Sequence, residues 1–164
     1  MKITFLTTGG TIDKIYFDDK SKFTVGDSLI DKILSDGNVN LEYEIVPLMK
    51  KDSLDLSDDD RQVIYDRVRD AESTHIIVTH GTDTMAMTAE KLIDIPNKTV
   101  VLTGALTPAR FQTTDAVFNM GMAVAAVQSH PHGIYVAMSG QIFDAGNVRK
   151  NAETQRFETL DDAE

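Results

Sequence analysis

The sequence of 164 residues contains no cysteine. That absence removes disulfides, thiolate metal sites, iron–sulfur clusters and cysteine nucleophiles together. No apolar run approaches the ~18–20 residues of a membrane span. The apolar run at residues 3–6 is too short for a signal peptide and reaches Gly9-Gly10 at once, which predicts a cytoplasmic protein. Positive charge is scarce. Against 26 Asp and Glu stand 16 Lys and Arg, a formal net charge of −10. That balance argues against nucleic acid and against an anionic membrane surface as partners. It leaves a small anionic or zwitterionic substrate open, because a local field can oppose the global charge. There is no repeat, low-complexity tract or linker, so residues 1–164 read as one domain.

What is present is alternation. Short Val- and Ile-rich runs at residues 3–6, 43–47, 75–78, 99–102 and 133–138 read as strands. Helical periodicity separates them. One face carries Leu29, Ile30, Ile33 and Leu34; a second Val63, Ile64, Val68 and Ala71; a third Ala86, Ala89, Leu92 and Ile93. The fourth carries Ala116, Val117, Met120, Val124 and Val127. Ser57 and Asp60 form a capping-box pattern around the acidic first turn of the second helix. The order predicts an α/β fold: an open, three-layer, Rossmann-like, mostly parallel sheet with helices on both faces. Residues 13–24 and 145–164 are the least regular. Residues 18–22 read as solvated loop, and 160–164 as a frayed tail.

Such sheets bind ligands beyond the carboxyl ends of their strands. Five segments fall there: Thr7-Thr8-Gly9-Gly10-Thr11, Asp52-Ser53-Leu54-Asp55, Thr79-His80-Gly81-Thr82-Asp83-Thr84, Thr103-Gly104-Ala105, and a last turn holding Asp144, Asn147 and Lys150. Hydroxyls, carboxylates, one lysine and glycine backbone amides converge. That set suits a hydroxyl nucleophile with a base and an oxyanion hole of N–H groups. It lacks a phosphate fingerprint. The pair His130 and His132, without nearby carboxylates, reads as a surface turn rather than a metal site, and no cofactor is implied. Taken singly, Gly9-Gly10 is an ordinary strand-to-loop turn, Thr82 or Asp83 is an N-cap, and Lys150 is a solvated surface lysine. Joined, they make a site in which Lys150 takes a proton from Thr82 if burial lowers its pKa.

Thr8-Gly9-Gly10-Thr11-Ile12 and Thr79-His80-Gly81-Thr82-Asp83-Thr84-Met85, in this order and both at strand ends, resemble the bacterial-type L-asparaginases. Pro47-Leu48-Met49, Asp52-Ser53, Gly104-Ala105 and Asp144-Ala145-Gly146-Asn147-Val148-Arg149-Lys150 extend the likeness. It corresponds to the family's N-terminal domain, as in a short, single-domain form without the usual C-terminal domain. The resemblance implies that Thr11 is the nucleophile and that Thr82, Lys150 and Asp83 form a triad. Asp83 would also bind the substrate's α-ammonium and Ser53 its α-carboxylate, while Gly10, Gly81, Thr82 and Ala105 line the carboxamide pocket. The implied reaction is hydrolysis of L-asparagine, with L-glutamine a further candidate, to the acid and ammonia through a threonine acyl-enzyme. Three departures stand out. The family's activating tyrosine falls on Phe23, with Tyr16 the candidate to replace it. Leu54 replaces a polar neighbour of Ser53. The second domain's contribution is missing, so a homo-oligomer is expected, with Arg149, Arg156 and Glu158 as candidates to complete a neighbour's site. The alternative reading is a non-catalytic amino-acid-binding homologue that keeps the pocket.

Overall fold

The computed structural model describes residues 1–17 and 22–161. Residues 18–21, read above as part of a solvated loop, and 162–164, the end of the expected frayed tail, lie outside the described residues. Strands β1 (Lys2–Gly9), β4 (Glu42–Lys51), β5 (His75–Thr79), β6 (Thr99–Thr103), β7 (Gly133–Met138) and β8 (Gln141–Asp144) form one sheet in the order β4-β1-β5-β6-β7-β8. All neighbours are parallel except β8, which runs antiparallel to β7. Between them lie α1 (Ile30–Asp36), α2 (Asp58–Asp70), α3 (Met85–Lys91) and α4 (Ala116–Ser129). The expected α/β architecture is the one found.

Strand side chains alternate between faces, and that alternation divides the core. Leu6, Val78, Leu102 and Val136 meet Ile64 and Val68 of α2 and Met85 of α3 on one side. Phe5, Ile77, Val101 and Ala137 meet Ile30 and Ile33 of α1 and Met120, Ala123 and Val127 of α4 on the other. Each large aliphatic so buried stabilises the fold by roughly 1.5–3 kcal/mol. Helix α2 starts as its sequence dictates. The Ser57 side chain accepts the Asp60 N–H while Asp60 accepts the Ser57 N–H.

Three residues assigned to buried helical faces turn outward: Val63, Ile93 and Val117 are 50%, 51% and 56% exposed. In α2 the packing stripe runs through Arg61, Ile64 and Val68. Ile93 lies beyond the end of α3. In α4 the stripe Ala116, Met120, Ala123, Val127 leaves Val117 on the open side.

The two irregular segments each contain a hairpin. Strands β2 (Lys14–Phe17) and β3 (Lys22–Val25) pair antiparallel, as do β9 (Arg149–Lys150) and β10 (Phe157–Glu158). Neither is long enough to show a period in sequence. The second is pinned by Phe157, 2% exposed within the core, whose N–H donates to Ser139 Oγ at 3.0 Å.

Winding reverses between β1 and β5. From β1 the chain first adds β4 on one side, then returns to add β5, β6 and β7 on the other. The gap between the carboxyl ends of β1 and β5 is therefore the crevice that such a sheet opens to ligands. The walls of that crevice are backbone against backbone. A Cβ at Gly104 would collide with the His80 carbonyl oxygen. We expect Gly104→Ala to cost more than ~2 kcal/mol by urea unfolding, since neither backbone can yield as a flexible side chain would. A variant within about 0.5 kcal/mol of wild type would show that this contact is soft.

Candidate active site

Strand β1 ends on two glycines with positive φ, Gly9 at 101° and Gly10 at 86°, a region that side chains rarely adopt. The chain then turns through a short 3-10 helix, Thr11–Asp13. A Cβ on Gly10 would sit 2.5 Å from Gly81 N, so the turns after β1 and β5 touch through bare backbone. A Cβ on Gly81 would in turn lie 2.6 Å from Ser53 Cβ and Oγ. The turn after β5 thus touches the other three: Gly10 and Ser53 against Gly81, and Gly104 against His80.

The stack decides which backbone groups remain for a ligand. Gly10 N–H donates to Lys51 O and His80 N–H to Thr103 O, each at 2.9 Å. Gly10 therefore contributes shape rather than a donor. The N–H groups of Thr11 and Thr82 are not spent on any acceptor among the described residues. Ser53 is buried, 1% exposed, yet its hydroxyl has no partner among them. A buried hydroxyl left unpaired is costly, which marks Ser53 as a group placed for something else to satisfy. Thr84, which sequence reasoning passed over, holds the Ser53 turn by donating its hydroxyl to the Ser53 carbonyl at 2.9 Å. Ion pairing of Lys14 with Asp52, at 2.6 Å, fastens β2 to the same turn. Ala105 is fully buried beside Gly104. The Gly104 carbonyl accepts from Asn119 Nδ2 at 3.0 Å.

Lys150 does not stand in solvent. Its side chain is 13% exposed, and Nζ donates to Thr82 Oγ1 at 2.9 Å and to Asp83 Oδ1 at 2.6 Å. The hairpin of β9 and β10 delivers it, with Phe157 directly opposite Lys150 in the register. Thr82 is 5% exposed, whereas the Asp83 side chain is 44% exposed and faces outward. Neither caps α3; its N-cap residue is Thr84. Arg149 and Glu158, expected as candidates to reach a neighbour, pair with each other at 2.6 Å.

Tyr16 lies on β2, half-exposed, opposite Phe23 on β3. Their ring centroids are 5.4 Å apart, and Phe23 in turn meets Phe111 at 6.1 Å. No hydrogen bond joins Tyr16 to Thr11, Thr82 or Lys150 among the described residues.

His80 supports the site without serving as a base. Burial pushes its pKa down to about 4, so the imidazole is neutral. Nδ1–H donates to the Gly81 carbonyl at 2.7 Å, and Nε2 accepts the Thr88 hydroxyl at 2.8 Å. In the unfolded chain the same ring titrates near 6.5. The stability that neutral His80 supplies is complete above pH 6.5, declines as pH falls, and is lost by about pH 4. The difference is worth up to about 3 kcal/mol. His80→Asn, whose amide nitrogen overlays Nδ1, keeps a donor for Gly81 and cannot titrate, so its urea-unfolding stability relative to wild type should rise as pH falls from 6.5 to about 4. An identical pH course in both proteins would overturn the assignment.

A family model described as asparaginase, N-terminal, matches residues 2–164. A probable periplasmic L-asparaginase of Haemophilus influenzae is 32% identical over 93% of this chain and 47% of its own length. The solved thermostable L-asparaginase of Thermococcus kodakarensis has a TM-score of 0.81 at 28% identity, covering 98% of this chain and 51% of that one. A probable cytoplasmic L-asparaginase from Campylobacter jejuni has a TM-score of 0.78 at 26% identity, over 96% and 51%. The chain spans about half the length of these relatives. On the match of the family model across its whole length, and on the two glycine–threonine turns that meet between β1 and β5, the chain belongs to the asparaginase family.

Proposed function

We propose that this chain carries the catalytic groups of an amidohydrolase that converts L-asparagine to L-aspartate and ammonia. The observation that carries the reading is Lys150 Nζ, shared between Thr82 Oγ1 and Asp83 Oδ1. A pocket that only bound an amino acid would have no use for a lysine buried against a threonine hydroxyl. In this scheme Thr11 Oγ attacks the carboxamide carbon, forming a C–O bond. Collapse breaks the C–N bond, and the nitrogen leaves as ammonia with the proton taken from Thr11. Water then attacks the ester, the new acid departs, and Thr11 regains its proton. The unspent N–H groups of Thr11 and Thr82 stabilise the developing oxyanion. Thr82 and Lys150 share one 2.9 Å hydrogen bond, the path along which a proton is relayed.

Recognition of the substrate's amino-acid end falls to three groups. The unpartnered Ser53 hydroxyl takes the α-carboxylate. Half-exposed Asp83 takes the α-ammonium, and Gly10, Gly81 and Ala105 shape the carboxamide pocket. Tyr16 is the proton acceptor for Thr11. What supports it is register: Tyr16 is the cross-strand neighbour of Phe23, the position where the family's tyrosine falls. L-glutamine is the further candidate substrate. The proposed setting is cytoplasmic, as the similar protein from Campylobacter jejuni is described.

The test is ammonia release from L-asparagine by the purified protein. Thr11→Val should abolish it with stability changed by no more than ~1–2 kcal/mol, and Lys150→Met should lower kcat by at least ~10³-fold. Binding of asparagine without ammonia release would favour the amino-acid-binding homologue instead.

Part of the proposal is a homo-oligomer that closes the crevice. Water in an open site weakens electrostatic stabilisation. Phe118, Phe111 and Leu106, beyond the carboxyl end of β6, are 63%, 44% and 41% exposed and offer an apolar surface for a second copy. Sedimentation at micromolar concentration should give a dimer or larger. An 18.1 kDa monomer that still releases ammonia would defeat it.

A further inference from the structure

We infer that Asp13 is a positioning residue: its buried side chain ties the hairpin of β2 and β3 to the Thr11 turn, and its proton state sets how firmly the tie holds. The inference rests on the reading of Thr11 and Tyr16 given above. Asp13 is the last residue of the Thr11 turn and the one before β2, so it joins the proposed nucleophile to the hairpin bearing Tyr16. Its backbone bonds both ways. The Asp13 N–H donates to Gly10 O at 3.2 Å, and its carbonyl accepts Gly26 N–H at 2.8 Å, closing the base of the hairpin. The side chain adds a third tie. Oδ1 accepts the Leu29 N–H at 3.3 Å, and Ser28 beside it favours the carboxylate form.

This carboxyl is 1% exposed and lines a cavity of about 290 Å³ with Thr7, Gly26, Ile45, Pro47 and Met49. Burial raises its pKa to about 6. The charged groups facing it are Asp27 and Lys50, which pair with each other, and Arg110. Lys50 holds the Asp27 carboxyl below its ordinary range, so Asp27 is already charged across the relevant window. Only Asp13 changes charge there. Lys14, next in sequence, is committed to Asp52.

Protonated, Asp13 keeps the Leu29 bond and places no charge in the cavity. Ionised, it needs hydration that its burial, 1% exposed, withholds. Letting the carboxylate reach water means loosening the hairpin base. A hairpin that opens returns Asp13 to an ordinary carboxylate, so the tie weakens as pH rises from about 4 to 6 and is level above that. Between pH 5 and pH 7 the closed-to-open ratio should fall roughly tenfold.

Hydrogen exchange reads this directly, without substrate. Protection factors for residues 14–17 and 22–26 should fall roughly tenfold from pH 5 to pH 7 in the wild-type protein. Asp13→Asn, neutral at every pH and still able to accept from Leu29, should hold its protection constant at the low-pH level. Asp13→Ala should be poorly protected throughout. If asparagine is hydrolysed, KM should follow the same pH course in the wild type and be flat in Asp13→Asn, with kcat at each pH changed less than KM. Protection in the wild type that does not vary with pH, or that varies equally in Asp13→Asn, overturns the inference. That outcome is distinct from an absence of ammonia release, which would instead sink the functional reading.

Discussion

Contact of backbone with backbone at Gly10, Gly81 and Gly104 is the constraint on which the site depends. A parallel sheet gathers the ends of its strands but leaves them about 4.8 Å apart, and the turns that follow would ordinarily be spread by their side chains. Here three of those turns carry a glycine where the next turn presses against them. With no Cβ between them, Thr11, Ser53 and Thr82 approach one crevice from three different strands. The two cores beneath hold the strands in register, with branched and aromatic side chains on either face. Packing energy therefore sets the sheet, and the glycines convert sheet geometry into site geometry.

Lys150 shows the same logic reached by another route. It arrives from a hairpin of two-residue strands that has little regular structure to stabilise it. What fixes it is Phe157, buried opposite, together with the Ser139 hydroxyl and the Arg149–Glu158 pair. Burying one phenyl ring is worth up to about 3 kcal/mol, enough to hold a short hairpin that could not stand alone. The ammonium then spans Thr82 and Asp83, adjacent residues whose side chains differ in exposure, one sealed and one facing the crevice mouth. A single lysine so placed touches both the Thr82 hydroxyl and the Asp83 carboxylate, the two groups to which the proposal gives proton transfer and substrate binding.

The sheet and its helices were legible in the sequence because they bury residues at regular intervals. The strand cores, the capping box at Ser57 and the stripes of Ile64 and Val68 or Met120 and Val127 all follow from period alone. The hairpins were not legible, since two to four residues show no period. The site was legible as a set of strand-end residues, and Lys150 gained its place only from motif company; alone, a late lysine before a polar tail reads as solvated. Asp13 and His80 were missed as buried titratable groups for a related reason. Nothing in the local sequence of either says that tertiary packing will cover it. The faint signal at Asp13 is its position, a carboxylate directly after an apolar residue at a glycine-rich turn, where a loop would normally expose it.

These two buried groups respond to acid in opposite senses. His80, depressed to about 4 from 6.5, contributes stability that declines as pH falls through that interval. Asp13, raised to about 6 from 3.8, contributes stability that is greatest below pH 3.8 and declines as pH rises toward 6. Between about pH 4 and 6 each changes by up to ~1.4 kcal/mol per pH unit, and the changes oppose. Global stability can therefore look level across this window while the walls of the crevice do not. Acid weakens the turn carrying Gly81 and Thr82, which His80 supports, and tightens the hairpin base behind Thr11. The His80 arm belongs to the sheet and to α3 through Thr88, so its loss is shared with the core. The Asp13 arm ends on a two-stranded hairpin at the rim, where a change of one or two kcal/mol also shifts local opening of a few residues. Near neutral pH both groups are on the plateau of their response, with His80 uncharged and the hairpin at its loosest.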